Sequence, residues 1–283
     1  MKVGIPSDFY TTRYDLQTSV KLIKEHGYDC VDFEDFADTT TEFFRLPEEE
    51  FIAEVKRIRK VYEDAGLWIN QTHAPWCWPP PDETEQKRKI RTEEMKKAVR
   101  GTGAIGAECF VVHPLMPFGP DSGENPEQMK EINLKFLREL CREGRNCGVT
   151  ICLENMPFKN LPVSSVDQII EFVKLVNEPN LKICLDTGHA MLWDDQAGEA
   201  VEKIGNLLAC VHVHDNDGTR DAHRPIYTGK VNWQAFVDSL VKTAYNGVFS
   251  LEVSCKCPDM QEGGDIEKKI CQDAKDLLKK AGL

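Results

Sequence analysis

The sequence predicts an α/β chain folded as one (βα)8 TIM barrel, a single domain over residues 1–283. Short β-rich runs alternate with longer amphipathic segments eight times, and glycines punctuate the steps from helix to strand. The first strand lacks the Gly-rich phosphate loop that an open doubly wound sheet usually carries after it.

The strand runs are 2–6, 30–34, 67–73, 108–113, 149–154, 181–186, 208–214 and 248–253. Helical periodicity occupies 15–26, 47–65, 84–99, 126–146, 165–176, 196–204, 233–244 and 265–281. Each helix is long enough to cross back over a sheet, so the strands run parallel and the crossovers right-handed. Gly27, Gly66, Gly106, Gly148 and Gly247 precede the next strand as expected left-handed caps. No linker, low-complexity tract or break in composition marks a second domain, and barrels of about 250 residues are ordinary.

A composition of 41% hydrophobic and 29% charged residues suits a large buried core and excludes a disordered chain. With 35 Lys+Arg against 47 Asp+Glu, the net charge of −12 repels phosphate backbones and anionic membranes, so no nucleic-acid partner is expected. No apolar run approaches the roughly 18 to 20 residues that span a bilayer. The opening MKVGIPSDFY has no apolar signal core, so a cytoplasmic protein without membrane contact is expected. Eleven scattered cysteines fit a reducing compartment, most of them as small buried hydrophobes. The closest pair, Cys255-x-Cys257, is a weak metal signal on its own.

Chemistry in such a barrel gathers at the carboxyl ends of the strands. Those ends read Glu34, His73, His113, Glu154, Asp186 with His189 beyond, His212 and His214, and Glu252. His223 follows in the loop after strand 7, and only His26 is expected on a helix. A single His at a strand end is more often a hydrogen-bonded turn residue than a ligand. Seven strands ending this way is another matter: Glu154, Asp186 and Glu252 would repel one another when buried unless a cation neutralised them.

Side chains alternate along a strand, so Cys152, Cys184, Cys210 and Ser250 should point into the same interior one layer below Glu154, Asp186, His212 and Glu252. A thiolate zinc site of Cys152, Cys184 and Cys210 would need the cysteines at the ligand layer and leave the carboxylates unpartnered. Three carboxylates and one imidazole instead form a hard, open site for one divalent ion, Mn²⁺ by preference, with Mg²⁺ or Co²⁺ as alternatives. His212 is assigned to the ion and His214 to substrate or to the ligands' surroundings; sequence alone allows the reverse.

The motifs Thr72-His73-Ala74-Pro75, Val112-His113-Pro114, Leu153-Glu154-Asn155-Met156, Leu185-Asp186-Thr187-Gly188-His189-Ala190, His212-Val213-His214-Asp215-Asn216-Asp217, Asp221-Ala222-His223-Arg224-Pro225 and Leu251-Glu252-Val253 resemble those of the xylose-isomerase-like TIM barrels. The resemblance is to the sugar (phosphate) isomerase/epimerase group, related to endonuclease IV, and covers nearly the whole chain. It implies that one ion is held by Glu154, Asp186, His212 and Glu252, the two glutamates doubling as acid and base. The endonuclease branch implies three Zn²⁺ ions, with matching positions at His73, His113, His189, Asp221 and His223. The sequence departs from the group's pattern after His113, after His73-Ala-Pro, where Trp76 and Trp78 stand, and in the run Pro225 to Lys230, which lacks Pro-Gly-x-Gly.

The expected chemistry is proton removal beside a sugar ketone, with the enediolate stabilised by the ion and Glu154 and Glu252 on either face of the substrate. Return of the proton to the same carbon gives an epimer; return to the neighbouring carbon gives aldose–ketose isomerisation. His189 is placed to bind a substrate hydroxyl or orient Glu154. Glu34, His73, His113, His214, Arg224 and Trp76 are the remaining substrate-binding candidates, with Trp78 and Trp193 extending an apolar wall. Arg220, Arg224 and Lys230 are candidates for a phosphate contact. Alternatives are a lyase or dehydratase on the same chemistry, of inosose dehydratase or glycoside-cleaving type, a trinuclear zinc phosphodiesterase, and a non-catalytic barrel. The sugar and the presence of a homo-oligomer are not specified by the sequence.

Overall fold

In chain order the elements are β1 (Val3–Pro6), α1 (Asp8–Thr11), α2 (Leu16–Glu25), β2 (Cys30–Phe33), α3 (Glu42–Arg45), α4 (Glu48–Asp64), β3 (Trp68–His73), α5 (Glu85–Ile105), β4 (Cys109–Val112) and α6 (Pro126–Cys147). They continue with β5 (Thr150–Glu154), α7 (Val166–Val176), β6 (Leu181–Asp186), α8 (Thr187–Leu192), α9 (Ala197–Ile204), β7 (Leu208–His212), α10 (Trp233–Lys242), β8 (Phe249–Ser250) and α11 (Ile266–Lys280). The structure is a computed structural model and describes residues 1–119, 125–194, 196–254 and 266–283.

The eight strands lie in the order β7-β6-β5-β4-β3-β2-β1-β8, every ladder parallel. A single parallel bridge between Val213 and Leu251 joins the two ends of the sheet. There the Val213 amide donates to the Ser250 carbonyl at 2.8 Å and the Glu252 amide to the Val213 carbonyl at 2.9 Å. The result is the expected single-domain (βα)8 barrel. No helix among the described residues is long and apolar enough to cross a membrane.

Strands buried on both faces read as near-continuous apolar runs, as Phe110, Val111 and Val112 of β4 do. The helices bury one stripe each: α7 turns Ile169, Ile170, Phe172, Val173 and Val176 inward. Ser165 starts α7 with a capping box, its hydroxyl accepting from the Gln168 amide while the Gln168 side chain accepts from the Ser165 amide. The aromatic core lies between sheet and helices, with Phe33, Phe36 and Phe51 fully buried; such side chains contribute about 1.5–3 kcal/mol each by leaving water.

Four of the five expected left-handed glycines are so, with φ of 93°, 71°, 89° and 70° at Gly27, Gly66, Gly106 and Gly148. Gly247 is not. The chain after α10 turns instead at Ala244, with φ of 54°, and a Cβ on Gly247 would meet the Tyr245 hydroxyl at 2.2 Å, so close approach explains the glycine there. Three short helices, α1, α3 and α8, occupy loops where periodicity gave no sign of them. Helix α5 runs on to Ile105 through Gly101 and Gly103, residues of low helix propensity. His189 lies on α8, and His26 just past the end of α2 with Nδ1 at 2.8 Å from the Tyr10 hydroxyl.

Below the strand ends the interior divides in two. On one side Asn70 donates to Asp32 and to the Ser250 hydroxyl, both at 2.9 Å. On the other, Val111, Cys152, Cys184 and Cys210 form an apolar cluster.

Candidate metal centre

The last residues of β5, β6 and β7 and the residue two past β8 converge. Glu154, Asp186, His212 and Glu252 each offer a donor atom, and the four atoms lie within 4.8 Å of one another. Register does this: Asp186 pairs with His212 across the β6–β7 ladder, and Glu154 pairs with Cys184 one layer lower, the stagger of a tilted barrel. His212 Nδ1 stands 3.1 Å from Glu154 Oε1 and 3.3 Å from Glu252 Oε2. Glu252 Oε2 is buried without a well-formed hydrogen bond, which suits an oxygen awaiting a cation.

Two further groups adjoin this one. His73 and His113 meet on Glu154 Oε2, at 3.6 and 2.9 Å, and their Nε2 atoms are 3.3 Å apart. On the other flank His189, His214, Asp221 and His223 gather within the same 4.8 Å limit. Asp221 Oδ2 takes His189 Nε2 at 3.1 Å and His223 Nε2 at 3.2 Å. His214 Nε2 is 2.9 Å from Asp186 Oδ2. So His212 falls in the group with the three carboxylates, and His214 beside Asp186 in the neighbouring group.

Local sequence sets these positions. Asp186 is the N-cap of α8, its Oδ1 accepting from the His189 amide at 2.6 Å, so the third residue of the helix is swung over the site. His189 Nδ1 lies 2.8 Å from the Asn155 carbonyl. Asn155 exchanges two hydrogen bonds with the Asp186 backbone, at 3.0 and 2.8 Å, and latches β5 to β6 at the site's edge. Gly188 is obligatory, since a Cβ there would overlap the His214 ring at 1.9 Å.

Burial alone would raise the Glu154 carboxyl, but the charges of His212 and His113 and their hydrogen bonds hold it well below the usual range. Glu252 is held low in the same way, by His212 and His223 against burial. Asp186 is raised, burial outweighing His189 and His214. Burial would lower the imidazoles, yet the facing carboxylates lift His212 and His189 well above the ordinary value, His73 to about 9 and His223 to about 10. At His113 burial wins over Glu154 and takes the ring down to about 4. The carboxylates thus draw positive charge from the protein's own imidazoles, a demand a divalent cation meets with release of those protons.

A cavity of about 220 Å³ opens over the donors, lined among others by Glu34, His73, Trp76, His113, Phe158 and His189. Next to it a cavity of about 290 Å³ brings Asp8, Glu34, His223 and Glu252 together. Trp76 stands edge-on to His113 with centroids 4.3 Å apart, and Trp78 stacks on Phe158 at 5.0 Å. Burial pushes the Glu34 carboxyl up to about 8 despite His73. Trp193 is not part of the cavity wall: its indole N–H donates to the Met156 carbonyl at 2.8 Å and braces the loop from behind. Arg224 lines neither cavity; its backbone pairs with Asp215. Arg220 and Lys230 are exposed and outside both cavity linings. Cys255 and Cys257 fall outside the described residues.

Sequence reasoning missed Asp8, Met156 and Phe158 as cavity residues. Asp8 lies two residues past the end of β1, a position the strand-end rule covers and the short α1 obscured. Phe158 sits four residues beyond Glu154 in an irregular loop, where no periodicity points inward.

The family described as "Xylose isomerase-like TIM barrel" matches residues 20–281. Among curated relatives, an uncharacterised protein of Methanocaldococcus jannaschii, MJ1311, is 30% identical over 258 residues, covering 89% of this chain and 83% of its own. A D-psicose 3-epimerase of Ruminiclostridium cellulolyticum is 28% identical over 226 residues, 77% of this chain and 72% of its own. A crystal structure of a D-tagatose 3-epimerase-like protein superposes with a TM-score of 0.77 at 27% identity, covering 100% of this chain and 98% of that one.

Proposed function

The chain belongs to the xylose isomerase-like TIM barrel family, and on that premise we propose that it is a divalent-metal-dependent epimerase or isomerase of a small ketose or ketose derivative. The observation that carries this reading is the meeting of Glu154, Asp186, His212 and Glu252 within 4.8 Å beside a sugar-sized cavity. The similarity to a D-psicose 3-epimerase and to a D-tagatose 3-epimerase-like protein supports it. The donors fit a hard cation such as Mn²⁺, Mg²⁺ or Co²⁺, which when bound supplies Lewis-acid polarisation of the substrate's ketone and neighbouring hydroxyl.

The protein's own part is proton transfer and positioning. Glu154 is ionised, being held low by His212 and His113, and so is competent to accept the α proton. Glu252, three strands further round the barrel and likewise held low, is a second carboxylate at the cavity: once it has taken a proton from solvent it returns one to the other face of the carbon, and in the reverse direction it is the base. His189 is fixed at both nitrogens, by the Asn155 carbonyl and by Asp221; it orients Glu154 from 3.6 Å. Trp76 and Phe158 give the apolar face of a sugar a surface to lie on and keep water from the reacting carbon. Among the described residues neither cavity is lined by Arg or Lys, which supports an unphosphorylated sugar. The absence of disulfides among the nine described cysteines supports a reducing, cytoplasmic setting.

Solvent-deuterium exchange into a panel of ketohexoses tests this. Mn²⁺-loaded protein should label the α carbon, and Glu154→Gln should lower the rate by about 10²–10⁴-fold. Equal labelling by wild type and variant would overturn the mechanism, and a product one water lighter would turn it into a dehydratase.

One observation favours a second reading. The His73–His113–Glu154 and His189–Asp221–His223 groups flank the central donors as further ion sites would, the arrangement of a trinuclear zinc phosphodiesterase. Metal analysis separates the two: one ion per chain supports the epimerase, and three Zn²⁺ ions with phosphodiester cleavage support the alternative.

A further inference from the structure

A second donor group lies beneath the first. The sulfurs of Cys109, Cys152 and Cys210 come within 4.8 Å of one another. Cys109 opens β4 and is half-buried, while Cys152 and Cys210 are the buried third residues of β5 and β7. Because Cys152 and Cys210 precede Glu154 and His212 by two residues, this group sits roughly 6–7 Å deeper along the strands. Strand alternation sets Cys152, Cys184 and Cys210 one layer below the carboxylates, and a thiolate site of these three was weighed only at the ligand layer; the converging set is instead Cys109, Cys152 and Cys210.

The spacing suits a metal. Thiolates on a zinc-sized ion, with bonds of about 2.3 Å, stand roughly 3.8–4.0 Å apart, so the sulfurs need close by at most about 1 Å. Cys184 pairs in register with Cys210 and packs in the same cluster, where its S–H can donate to a Cys210 thiolate. The half-buried Cys109 and Ala209 leave an approach from the strand-start end of the barrel, away from the sugar cavity.

We propose that Cys109, Cys152 and Cys210 form a second metal site, for one soft divalent d10 cation of the zinc class, distinct from the hard site at the strand ends. Binding exchanges three S–H bonds for three metal–sulfur bonds; three protons go to solvent and no electrons move. The ion ties β4, β5 and β7 together from inside the barrel. Its role is structural.

The test uses the full-length, reduced, metal-stripped protein carrying Asp186→Asn and Glu252→Gln, titrated with Cd²⁺ alone. The expected result is an ultraviolet thiolate-to-cadmium band saturating at one equivalent, with Cys109→Ala weakening binding about 100-fold or more, since even an outer-shell partner costs 10–100-fold. Cys257→Ser should leave the band unchanged. No band in the parent overturns the proposal, as does a band that survives Cys109→Ala or is lost with Cys257→Ser. If Cys109→Ala does not fold, alkylation of Cys109 in the parent decides: Cd²⁺ should protect it, and undiminished labelling overturns the site.

Discussion

Two layers of the same barrel, two residues apart on the same strands, have opposite chemistry. At the strand ends Glu154, Asp186, His212 and Glu252 are polar, and the two glutamates and His212 hold one another in their charged forms. One step down, Cys152, Cys184 and Cys210 are soft and apolar, and burial holds the Cys184 thiol far up in its neutral form. Alternation along a strand lets one short segment contribute to both, so the sequence Cys-x-Glu, Cys-x-Asp or Cys-x-His encodes a layer boundary rather than a motif. Hard oxygen donors stay open to substrate, and the soft donors beneath them close the interior.

A pair of substitutions on β6 probes that boundary most strongly. Asp186→Asn keeps the cap on α8 through its amide oxygen but removes a charged donor; ion affinity and turnover should fall by about 10³-fold, comparable with losing a key electrostatic contact. Cys184→Ala, two residues away, should leave turnover within about twofold and cost about 1–2 kcal/mol in urea melts. Comparable activity losses in both would erase the distinction between the layers.

Next in size is Trp76→Ala at the cavity wall. Losing the ring should raise KM about tenfold, some 1.4 kcal/mol of binding, with kcat nearly unchanged. A fall in kcat alone would place Trp76 behind His113 rather than against the sugar.

The remaining test reads stability rather than activity and concerns the polar half of the lower layer. Burial pushes the Asp32 carboxyl up to about 6, against hydrogen bonds from Asn70 and Ser250. A pKa raised in the folded state means the native protein binds more protons, so stability falls as pH rises from about 4 to about 6. Asp32→Asn should therefore stabilise the protein by about 1–3 kcal/mol at pH 7 and by almost nothing at pH 4, read from melts at the two pH values. A gain independent of pH would assign the effect to packing.

The eight βα units and the polar strand ends were legible because both rest on long-range regularities of period and position. Glu154, Asp186, His212 and Glu252 stand together as strand alternation and barrel closure require. The short helices were not legible: α8 is six residues long and held by one cap, so His189 looked like a loop residue. Cys109 escaped notice because its partner position depends on the stagger between β4 and β5, where it pairs with Thr150 and not with Cys152. Phe158 and Asp8 belong to loops, whose inward side chains are chosen by tertiary packing.

Among the described residues the ring of strands is stitched shut at Val213 and Leu251, and the neighbours of that stitch are His212, His214 and Glu252. An ion gripped from both sides of the gap would act as a clasp, so charging the pocket and cinching the cylinder become a single thermodynamic event. Amide protons on Val213 and Glu252 would then report, by their slowed escape, when the clasp is fastened.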